Sequence, residues 1–258
     1  MKKYIVAVML LLVVLTGCVN QVESDPKLKE IKDRGKLIVG SDIPYGVMEF
    51  FDESGNAVGI DVDVAQEIAD YLGVELEFKN IEWDILFDAV KNNEIDIAMS
   101  SITITPERAE EMLFSIPYFN AGQILIVHKD NQNINGPLDL EGYKVGVQIE
   151  TTGETEAKKY TDETNVIDYP SYACILDNEC MITDLKIGEI DAIILDYVAA
   201  IAVVNNEEEL KIVGEPFTEE FYGVATATGN TELINEANRV LRELKRTGEL
   251  NEIINKRS

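Results

Sequence analysis

Apolar positions switch between two spacings along most of the chain. Between residues 59 and 78 apolar side chains first recur at helical spacing and then alternate, with Gly73 between the two patterns. The first spacing predicts an amphipathic helix, a glycine suits the helix C-terminus, and the alternation predicts a half-buried strand. The same order recurs, with helices predicted at 84–92 and from Thr105, and strands at 36–40, 74–78 and 95–99. Strands that alternate with short helices predict a parallel sheet with crossover helices.

A second unit with the same pattern follows. Strands are predicted at 145–147, 166–168 and 191–195, and helices at 153–160 and 178–187. Outside this unit, a last helix is predicted at 231–247. Two extended stretches, 118–128 and 221–226, connect the two units. Two α/β units joined by crossings near 118–122 and 218–222 predict two lobes on a hinge. Small ligands bind at the carboxyl ends of such strands, which in a two-lobed chain form the walls of the cleft.

The N-terminal segment has the pattern of an export signal. Two lysines precede an uninterrupted apolar run at residues 4–15, which is shorter than the roughly 20 residues that span a bilayer. The run ends in Leu15-Thr16-Gly17-Cys18, which resembles the bacterial lipobox. That resemblance implies a lipoprotein signal peptide at 1–17 and a lipid on the thiol of Cys18, which anchors the protein to the membrane. An ordinary secreted protein with a chance cysteine is the alternative.

The charge of the chain limits the classes of partner. The full chain has 22 lysines and arginines and 48 acidic residues. Removal of residues 1–17 takes away two lysines and leaves 20 basic and 48 acidic residues, a formal charge of −28. Such a field repels nucleic acid and anionic membrane surfaces, and it favours cationic or zwitterionic ligands. We therefore expect no nucleic-acid partner. The polar segment 18–33 is predicted to be a tether that leads into a first helical turn.

Two cysteines remain besides Cys18. Cys174 and Cys180 belong to a chain that is predicted to be exported, and in an oxidising compartment such a pair can form a disulfide. Two buried free thiols are the alternative. The sequence has no Ser-His-Asp set, no P-loop and no cluster with metal-ligand spacing, so we expect neither a metal nor another cofactor.

Six short motifs follow one another in a characteristic order. They are GKLIVG at 35–40, VGIDVD at 58–63, ITITPER at 102–108, FSIPY at 114–118, GEIDA at 188–192 and YGVA at 222–225. Motifs in this order resemble those of the polar amino-acid-binding proteins of ABC importers, known as solute-binding protein family 3. This resemblance implies a type II periplasmic-binding-protein fold of the α/β class, with lobe 1 at 34–120 plus 219–258 and lobe 2 at 121–218.

The same resemblance implies a function. The expected protein is a monomeric receptor outside the cytoplasm that closes its lobes on a polar amino acid and is then recognised by the membrane permease subunits of an ABC importer. Two rivals stay open on the same scaffold. One is a dehydratase of the cyclohexadienyl type, which would need a general acid such as Glu150 in the cleft, and the other is a sensor subunit for a signalling receptor.

A charged pair is the first part of the predicted site. Arg108 is expected in the first turn of a helix capped by Thr105, where its planar guanidinium can bind a carboxylate through two parallel hydrogen bonds. Ser101 and Thr103 can add a backbone donor and a hydroxyl. Asp196 ends a buried strand, where a carboxylate costs desolvation unless a cation arrives. The resemblance implies that Arg108 binds the α-carboxylate of the ligand and that Asp196 binds its α-ammonium. The alternative for Arg108 is a surface ion pair, and the alternative for Asp196 is a cap of the following helix.

The remaining predicted contacts concern the side chain of the ligand. The resemblance implies that Tyr45 and Trp83 enclose this side chain and that Asp42 contacts a donor at its far end. Lysine, arginine or ornithine is then favoured, with glutamine second. The alternative to ligand contact is core packing for Trp83 and the formation of a turn for Asp42. Thr152 matches a residue that helps to bind the carboxylate, but Glu150 stands where the family usually has glycine, which would change how the backbone approaches the ligand.

Overall fold

Two mixed β-sheets, one in each lobe, organise the residues that the computed structural model describes, 26–170 and 181–257. Cys18, Cys174 and Cys180, with the predicted signal peptide, lie outside these residues. The strands are β1 Lys36–Ser41, β2 Phe50–Phe51, β3 Ala57–Val58, β4 Glu75–Asn80, β5 Ile97–Ala98, β6 Met112–Phe114, β7 Phe119–Ala121, β8 Gln123–His128, β9 Val145–Gln148, β10 Val166–Tyr169, β11 Ala192–Asp196, β12 Leu210–Val213, β13 Glu220–Tyr222 and β14 Ala225–Ala227.

The helices of the described residues cover the faces of these sheets. They are α1 Pro26–Arg34, α2 Ile60–Leu72, α3 Trp83–Lys91, α4 Pro106–Glu111, α5 Thr152–Tyr160, α6 Met181–Ile187, α7 Tyr197–Asn206, α8 Thr231–Thr247 and α9 Glu249–Arg257. The prediction for α8 is confirmed, because the six apolar positions of its face are buried and Gly248 ends it in the left-handed conformation. No helix of the described part is long and apolar enough to cross a membrane.

The strand orders explain why the sheets are mixed rather than wholly parallel. Lobe 1 has the order β4-β1-β5-β14-β6 and lobe 2 has the order β10-β9-β11-β8-β12. Three neighbouring strands in each sheet run parallel, as the strand–helix alternation predicts. The strands next to the crossings, β14 and β6 in lobe 1 and β8 and β12 in lobe 2, join antiparallel. Strands β8 and β14 each follow a strand of the crossings through a short connection without a helix, which permits antiparallel pairing. The α/β fold class with two sheet-containing lobes is confirmed.

The two crossings pair with each other. Strand β7 runs antiparallel to β13, and the rings of Phe119 and Tyr222 stack with centroids 5.6 Å apart. Each stretch that the sequence predicted as continuous is divided here, the first one at Gly122. A Cβ at Gly122 would lie 2.7 Å from the carbonyl oxygen of Thr218, so only glycine lets the two crossings approach this closely. The lobes are therefore joined by a tight two-stranded ribbon.

The segment before residue 34 contains a packed helix. Helix α1 starts at Pro26, within the segment 18–33 that is predicted to be a tether leading into a first helical turn. Its Leu28 and Ile31 are buried in the core of lobe 1. Lys27 forms an ion pair with the buried carboxylate of Asp96 at 3.1 Å. A nine-residue helix shows only two apolar positions, which is too short a pattern for the periodicity to reveal.

Replacement of Ile31 tests whether α1 belongs to the core. Ile31→Ala should lower the free energy of unfolding by about 2–5 kcal/mol, because it removes a fully buried aliphatic side chain and leaves a cavity. Urea denaturation measures this value, with Lys29→Ala on the exposed face of the same helix as the matched control. Equal unfolding midpoints for the two variants would mean that α1 does not contribute to the stability of lobe 1.

Candidate functional site

A cleft between the two lobes contains every ligand-binding residue predicted from the sequence. The cleft holds about 490 Å³ of space between atoms, a volume that includes open solvent. Most of its lining follows the carboxyl ends of parallel strands, which is where α/β folds place ligands. The eight predicted residues are Asp42, Tyr45, Trp83, Ser101, Thr103, Arg108, Thr152 and Asp196, and the lining also includes Ser100, Gln123, Gln148, Thr151, Gly153, Ile194 and Leu195.

Asp196 is held by groups from both sides of the cleft. Its Oδ2 accepts a hydrogen bond of 2.7 Å from the hydroxyl of Tyr45 and another from Tyr222, and its Oδ1 accepts one from Nε2 of Gln123. Asp196 occupies the N-cap position of α7 but its side chain makes no capping bond, so the capping alternative does not describe its carboxylate. Burial raises the pKa of Asp196 to about 6, against the lowering effect of the two tyrosine hydroxyls.

Two charged neighbours act on Asp196 in opposite directions. Glu220 raises the pKa of this carboxyl further and Arg108 lowers it. The buried Glu220 side chain lies in the ribbon, where its Oε1 accepts a hydrogen bond of 3.0 Å from the hydroxyl of Thr218. The carboxylate of Asp196 is therefore costly to keep charged unless a cation approaches it.

Arg108 lies at the opposite side of the same cleft. Helix α4 begins as the sequence predicts, because the Thr105 hydroxyl accepts a hydrogen bond of 3.2 Å from the backbone N–H of Arg108. Its guanidinium donates to the carbonyl oxygens of Thr103 and Glu150, each at 3.0 Å. Both acceptors are backbone carbonyl oxygens. The alternative for Arg108, a surface ion pair with a neighbouring acid, is therefore not what these bonds show. Burial lowers the pKa of Arg108, but an arginine side chain stays protonated in proteins.

The guanidinium of Arg108 also stacks on aromatic rings. Its central carbon lies 5.3 Å from the ring centroid of Trp83 and 5.0 Å from that of Phe87. Trp83 packs in a hydrophobic core cluster with Leu86 and also lines the cleft, so it has both of the roles that the sequence left open. Cation–π contact on two rings fixes the plane of the guanidinium before any ligand arrives.

Asp42 lies in lobe 1 directly after β1. It is 7% exposed, and its backbone N–H donates to the hydroxyl of Ser100 at 3.0 Å. Burial raises the pKa of Asp42 to about 6, and the charges of Glu82 and Asp84 raise it as well. The side-chain amide of Gln148 and the backbone of Trp83 act in the opposite direction. A cation that enters the cleft would stabilise this carboxylate in its charged form.

Two buried acids lie behind the loop that carries Ser101. The backbone N–H of Ser101, a residue with a left-handed φ of 52°, donates to Asp61 at 2.9 Å, and the hydroxyl of Tyr118 donates to the same carboxylate at 2.6 Å. Glu49 accepts a hydrogen bond of 3.3 Å from Ser100. Burial raises the pKa of Glu49 well above its usual value, and the charge of Asp61 adds to the rise. Sequence reasoning missed both acids, which shape the loop without lining the cleft.

Glu150 takes the backbone conformation of the glycine that it replaces. Its φ is 61°, in the left-handed region, and its N–H donates to the carboxylate of Glu154 at 2.6 Å. The side chain of Glu150 is exposed and is absent from the lining, so it does not provide the acid that a dehydratase in this cleft would need. Thr152 still lines the cleft, and its hydroxyl accepts from Nε2 of Gln123 at 3.2 Å.

Several buried polar atoms of the lining have no hydrogen-bond partner among the described residues. They are Nε1 of Trp83, Oγ of Ser101, Oε1 of Gln123 and Nε2 of Gln148. Sequence reasoning missed Gln123 and Gln148, although Gln148 ends β9 as Asp196 ends β11. With a guanidinium, two carboxylates and these unsatisfied groups, the cleft can bind a small molecule that carries both charges.

Comparisons with known proteins agree with this architecture. The model of the bacterial extracellular solute-binding proteins, family 3, matches residues 37–257. The L-cystine-binding protein TcyJ of Escherichia coli (strain K12) is 31% identical over 251 residues, which cover 96% of this chain and 92% of TcyJ. The holo form of ArgBP from T. maritima is 41% identical, with a TM-score of 0.77 over 84% of this chain and 93% of that one.

A third comparison comes from an ancestral protein. An ancestral arginine-binding protein, solved with glutamine and with arginine bound, is 38% identical, with a TM-score of 0.79 over 87% of this chain and 98% of that one. The family match spans most of the chain, and the relatives are amino-acid-binding proteins. The chain therefore belongs to the bacterial extracellular solute-binding proteins, family 3.

Proposed function

We propose that this protein is the substrate-binding receptor of an ABC-type amino-acid importer and that its ligand is a polar amino acid, with a basic one favoured. The observation that carries the proposal is that Arg108 of lobe 1 and Asp196 of lobe 2 lie in one cleft. An α-amino acid is a zwitterion with a carboxylate and an ammonium on one carbon. A guanidinium and a carboxylate on opposite walls bind these two groups in one orientation.

The role of each residue follows from its chemistry. Arg108 binds the α-carboxylate, with help from the backbone and hydroxyl groups of Ser101, Thr103 and Thr152. Asp196 binds the α-ammonium, which offsets the desolvation of its carboxylate. Closure of the hinge at the β7–β13 ribbon then completes the site, and the permease subunits recognise the closed form.

Asp42 favours a ligand whose side chain ends in hydrogen-bond donors. Its carboxylate and the nearby Glu82 and Asp84 repel glutamate and aspartate, and an apolar side chain would leave Asp42 charged and unpaired. Tyr45 and Trp83 enclose the aliphatic part of the ligand. The names of the relatives, which specify arginine, glutamine and cystine, support a polar amino acid.

A binding screen with an Arg108 variant tests the proposal. Isothermal titration of the purified protein against the common amino acids should identify at least one basic or amide ligand. Arg108→Ala should weaken its binding by about 2–5 kcal/mol, because a desolvated carboxylate loses its charged partner. Arg246→Ala, on the exposed face of α8, is the matched control. Unchanged affinity in Arg108→Ala would contradict the assignment of the carboxylate site.

The affinity for a basic amino acid should depend on pH through Asp42 and Asp196. Both carboxyls have a pKa raised to about 6 in the free protein. A cationic ligand stabilises their charged forms and so lowers both pKa values on binding. The affinity should therefore be full above about pH 7 and fall as the pH drops through the free values, since the ligand must then displace protons.

Asp42→Asn separates the two contributions to this pH dependence. The variant should bind lysine and arginine more weakly than the wild type, and its affinity should fall less steeply with acid because one titrating group is gone. Titrations with lysine, arginine, glutamine and glutamate between roughly pH 5 and 8 provide the comparison. If glutamate binds the wild type best, or if the order of ligand affinities is the same in both proteins, Asp42 does not contact the ligand and serves only to form the turn after β1.

We also propose that the protein acts outside the cytoplasm as a lipoprotein anchored through Cys18, and that it works as a monomer. The lipobox at 15–18 and the short apolar run before it support the anchor. Cys18→Ser should move the protein from the membrane fraction to the soluble one in its host, because the thiol that carries the lipid is gone. A variant that stays in the membrane fraction after a salt wash would refute the anchor.

A further inference from the structure

Two fully buried acids, Glu49 and Asp61, lie directly behind the cleft and have no assigned role in ligand binding. Asp61 lies in the first turn of α2, and its backbone N–H donates to the carbonyl oxygen of Met48 at 2.9 Å, which brings the two acids together. Gly59 permits this approach, because a Cβ there would overlap with the same carbonyl oxygen. Among the described residues, no lysine or arginine forms an ion pair with either acid.

The hydrogen bonds of these two acids require a proton between them. Oδ1 of Asp61 accepts from the hydroxyl of Tyr118 at 2.6 Å, and Oδ2 accepts from the backbone N–H of Ser101 at 2.9 Å. Oε1 of Glu49 accepts from the hydroxyl of Ser100 at 3.3 Å, whereas its buried Oε2 has no partner among the described residues. The two carboxyls are in hydrogen-bond contact, and two acceptors can form such a bond only if one of them carries a proton.

The surrounding groups decide which acid carries this proton. Burial raises the pKa of Glu49 well above its usual value, and the charges of Asp61 and Asp42 raise it further, against the lowering effect of two serine hydroxyls. Burial raises the pKa of Asp61 only to about 6, because the hydrogen bonds that it accepts stabilise its charge. Tyr118 remains a donor, since burial and the two acids raise the pKa of its hydroxyl well above the usual value. Near neutral pH the proton therefore belongs to Glu49 and the negative charge to Asp61.

Each acid of the pair holds a residue that lines the cleft. Asp61 accepts from the N–H of Ser101, whose left-handed φ of 52° is unfavourable for a residue with a side chain. Ser101 lines the cleft, and its buried Oγ has no partner among the described residues, so it can donate to a ligand. Glu49 acts through Ser100, whose hydroxyl accepts from the backbone N–H of Asp42 at 3.0 Å. The pair therefore supports the backbone of two residues of the candidate site.

We propose that Glu49 and Asp61 are positioning residues that share one proton, held on Glu49, and that this pair keeps Ser101 in the conformation in which its hydroxyl reaches the carboxylate of the ligand. The inference rests on the proposed function and deepens it, because it adds two residues that act on the carboxylate site without touching the ligand. A neutral Glu49 lets Asp61 keep its charge although it is buried, and a charged acceptor forms the stronger hydrogen bond to the N–H of Ser101.

Amide substitutions distinguish the two acids. An amide, like a protonated carboxyl, has one acceptor oxygen and a donor, so Glu49→Gln can still accept from Ser100 and donate to Asp61. Asp61→Asn keeps one acceptor oxygen for two donors. In isothermal titration with L-arginine, L-lysine and L-glutamine, Glu49→Gln should bind within about threefold of the wild type, and Asp61→Asn about ten- to a hundredfold more weakly. Glu53→Gln, on the exposed loop after β2, is the matched control.

A double-mutant cycle with Ser101→Ala tests whether Asp61 acts through Ser101. Asp61→Asn should weaken binding less in the Ser101→Ala protein than in the wild type, because the hydroxyl that it positions is already absent. Equal losses in the two backgrounds would overturn the positioning role. A tolerated Asp61→Asn together with a damaging Glu49→Gln would overturn the assignment of the proton.

The proton on Glu49 can be detected without a ligand. At about pH 8 ordinary carboxyls and the two of the cleft are ionised, so the infrared band of a protonated carboxyl should persist in the wild type and in Glu53→Gln and be lost in Glu49→Gln. Unfolding lets Glu49 ionise in the wild type alone. Glu49→Gln should therefore have a higher Tm than the wild type at about pH 8, and this difference should disappear below about pH 4, where Glu49 is protonated in both states. A wild type without the band would contradict the shared proton.

These measurements separate the positioning pair from the proposed function. A wild type that binds an amino acid but fails any of these tests would overturn this inference and leave the receptor function intact. A wild type that binds no amino acid would overturn the proposed function, and the positioning role with it.

Discussion

The contact between Asp196 and the tyrosine hydroxyls is the interaction on which the closed cleft depends. Tyr45 of lobe 1 and Tyr222 of the ribbon both donate to Oδ2, although the carboxylate belongs to lobe 2. A buried carboxylate is costly in a low dielectric, and two hydroxyl donors offset part of that cost. Because Tyr45 belongs to lobe 1, its share of this stabilisation exists only while the lobes are together. The proposed closure would therefore be coupled to the charge of Asp196.

The ribbon makes this coupling possible because it belongs to both lobes. Tyr222 stacks on Phe119 and donates to Asp196 from the same short strand, and Gly122 lets the two crossings lie close together. The backbone N–H of Tyr197, the residue after Asp196, donates to the carbonyl oxygen of Gly122 at 2.8 Å. A hinge motion at these crossings would change the position of Asp196 relative to lobe 1. The ribbon and the carboxylate of Asp196 are thus parts of one hydrogen-bonded unit.

The sequence predicted what depends on local pattern and on motifs. The helix at 231–247, the end of α2 at Gly73 and the cap at Thr105 follow from spacing and turn chemistry, and the structure confirms each of them. The eight predicted residues line one cleft, and most of them lie where a strand ends or a helix begins in one of the two lobes. Gln123, Gln148, Glu49 and Asp61 could not be predicted in the same way. Their roles depend on contacts between segments far apart in the chain, which no periodicity encodes.

Local preference also failed where tertiary contacts decide the backbone. Glu150 adopts a left-handed φ that a glycine would take more easily, and its carbonyl oxygen accepts from the guanidinium of Arg108 across the cleft. The side chain of Glu150 is exposed and does not line the cleft. The carbonyl oxygen of Glu150 accepts from Arg108 and its N–H donates to the carboxylate of Glu154, and these two hydrogen bonds hold this conformation.

The number of donors on Arg108 shows how one side chain can hold the lobes and a ligand together. A guanidinium has five N–H groups. One N–H of Nη1 donates to the carbonyl oxygen of Thr103, and one N–H of Nη2 donates to that of Glu150. The other three remain for a carboxylate, which needs two for a bidentate pair. The bond to Glu150 crosses the cleft and connects the two lobes. Lysine at this position would keep the charge, but its three donors have no fixed plane. It could not donate in a planar, bidentate way to a ligand carboxylate while it also donates to the opposite lobe. Arginine satisfies both, and the rings of Trp83 and Phe87 hold its plane in place for each.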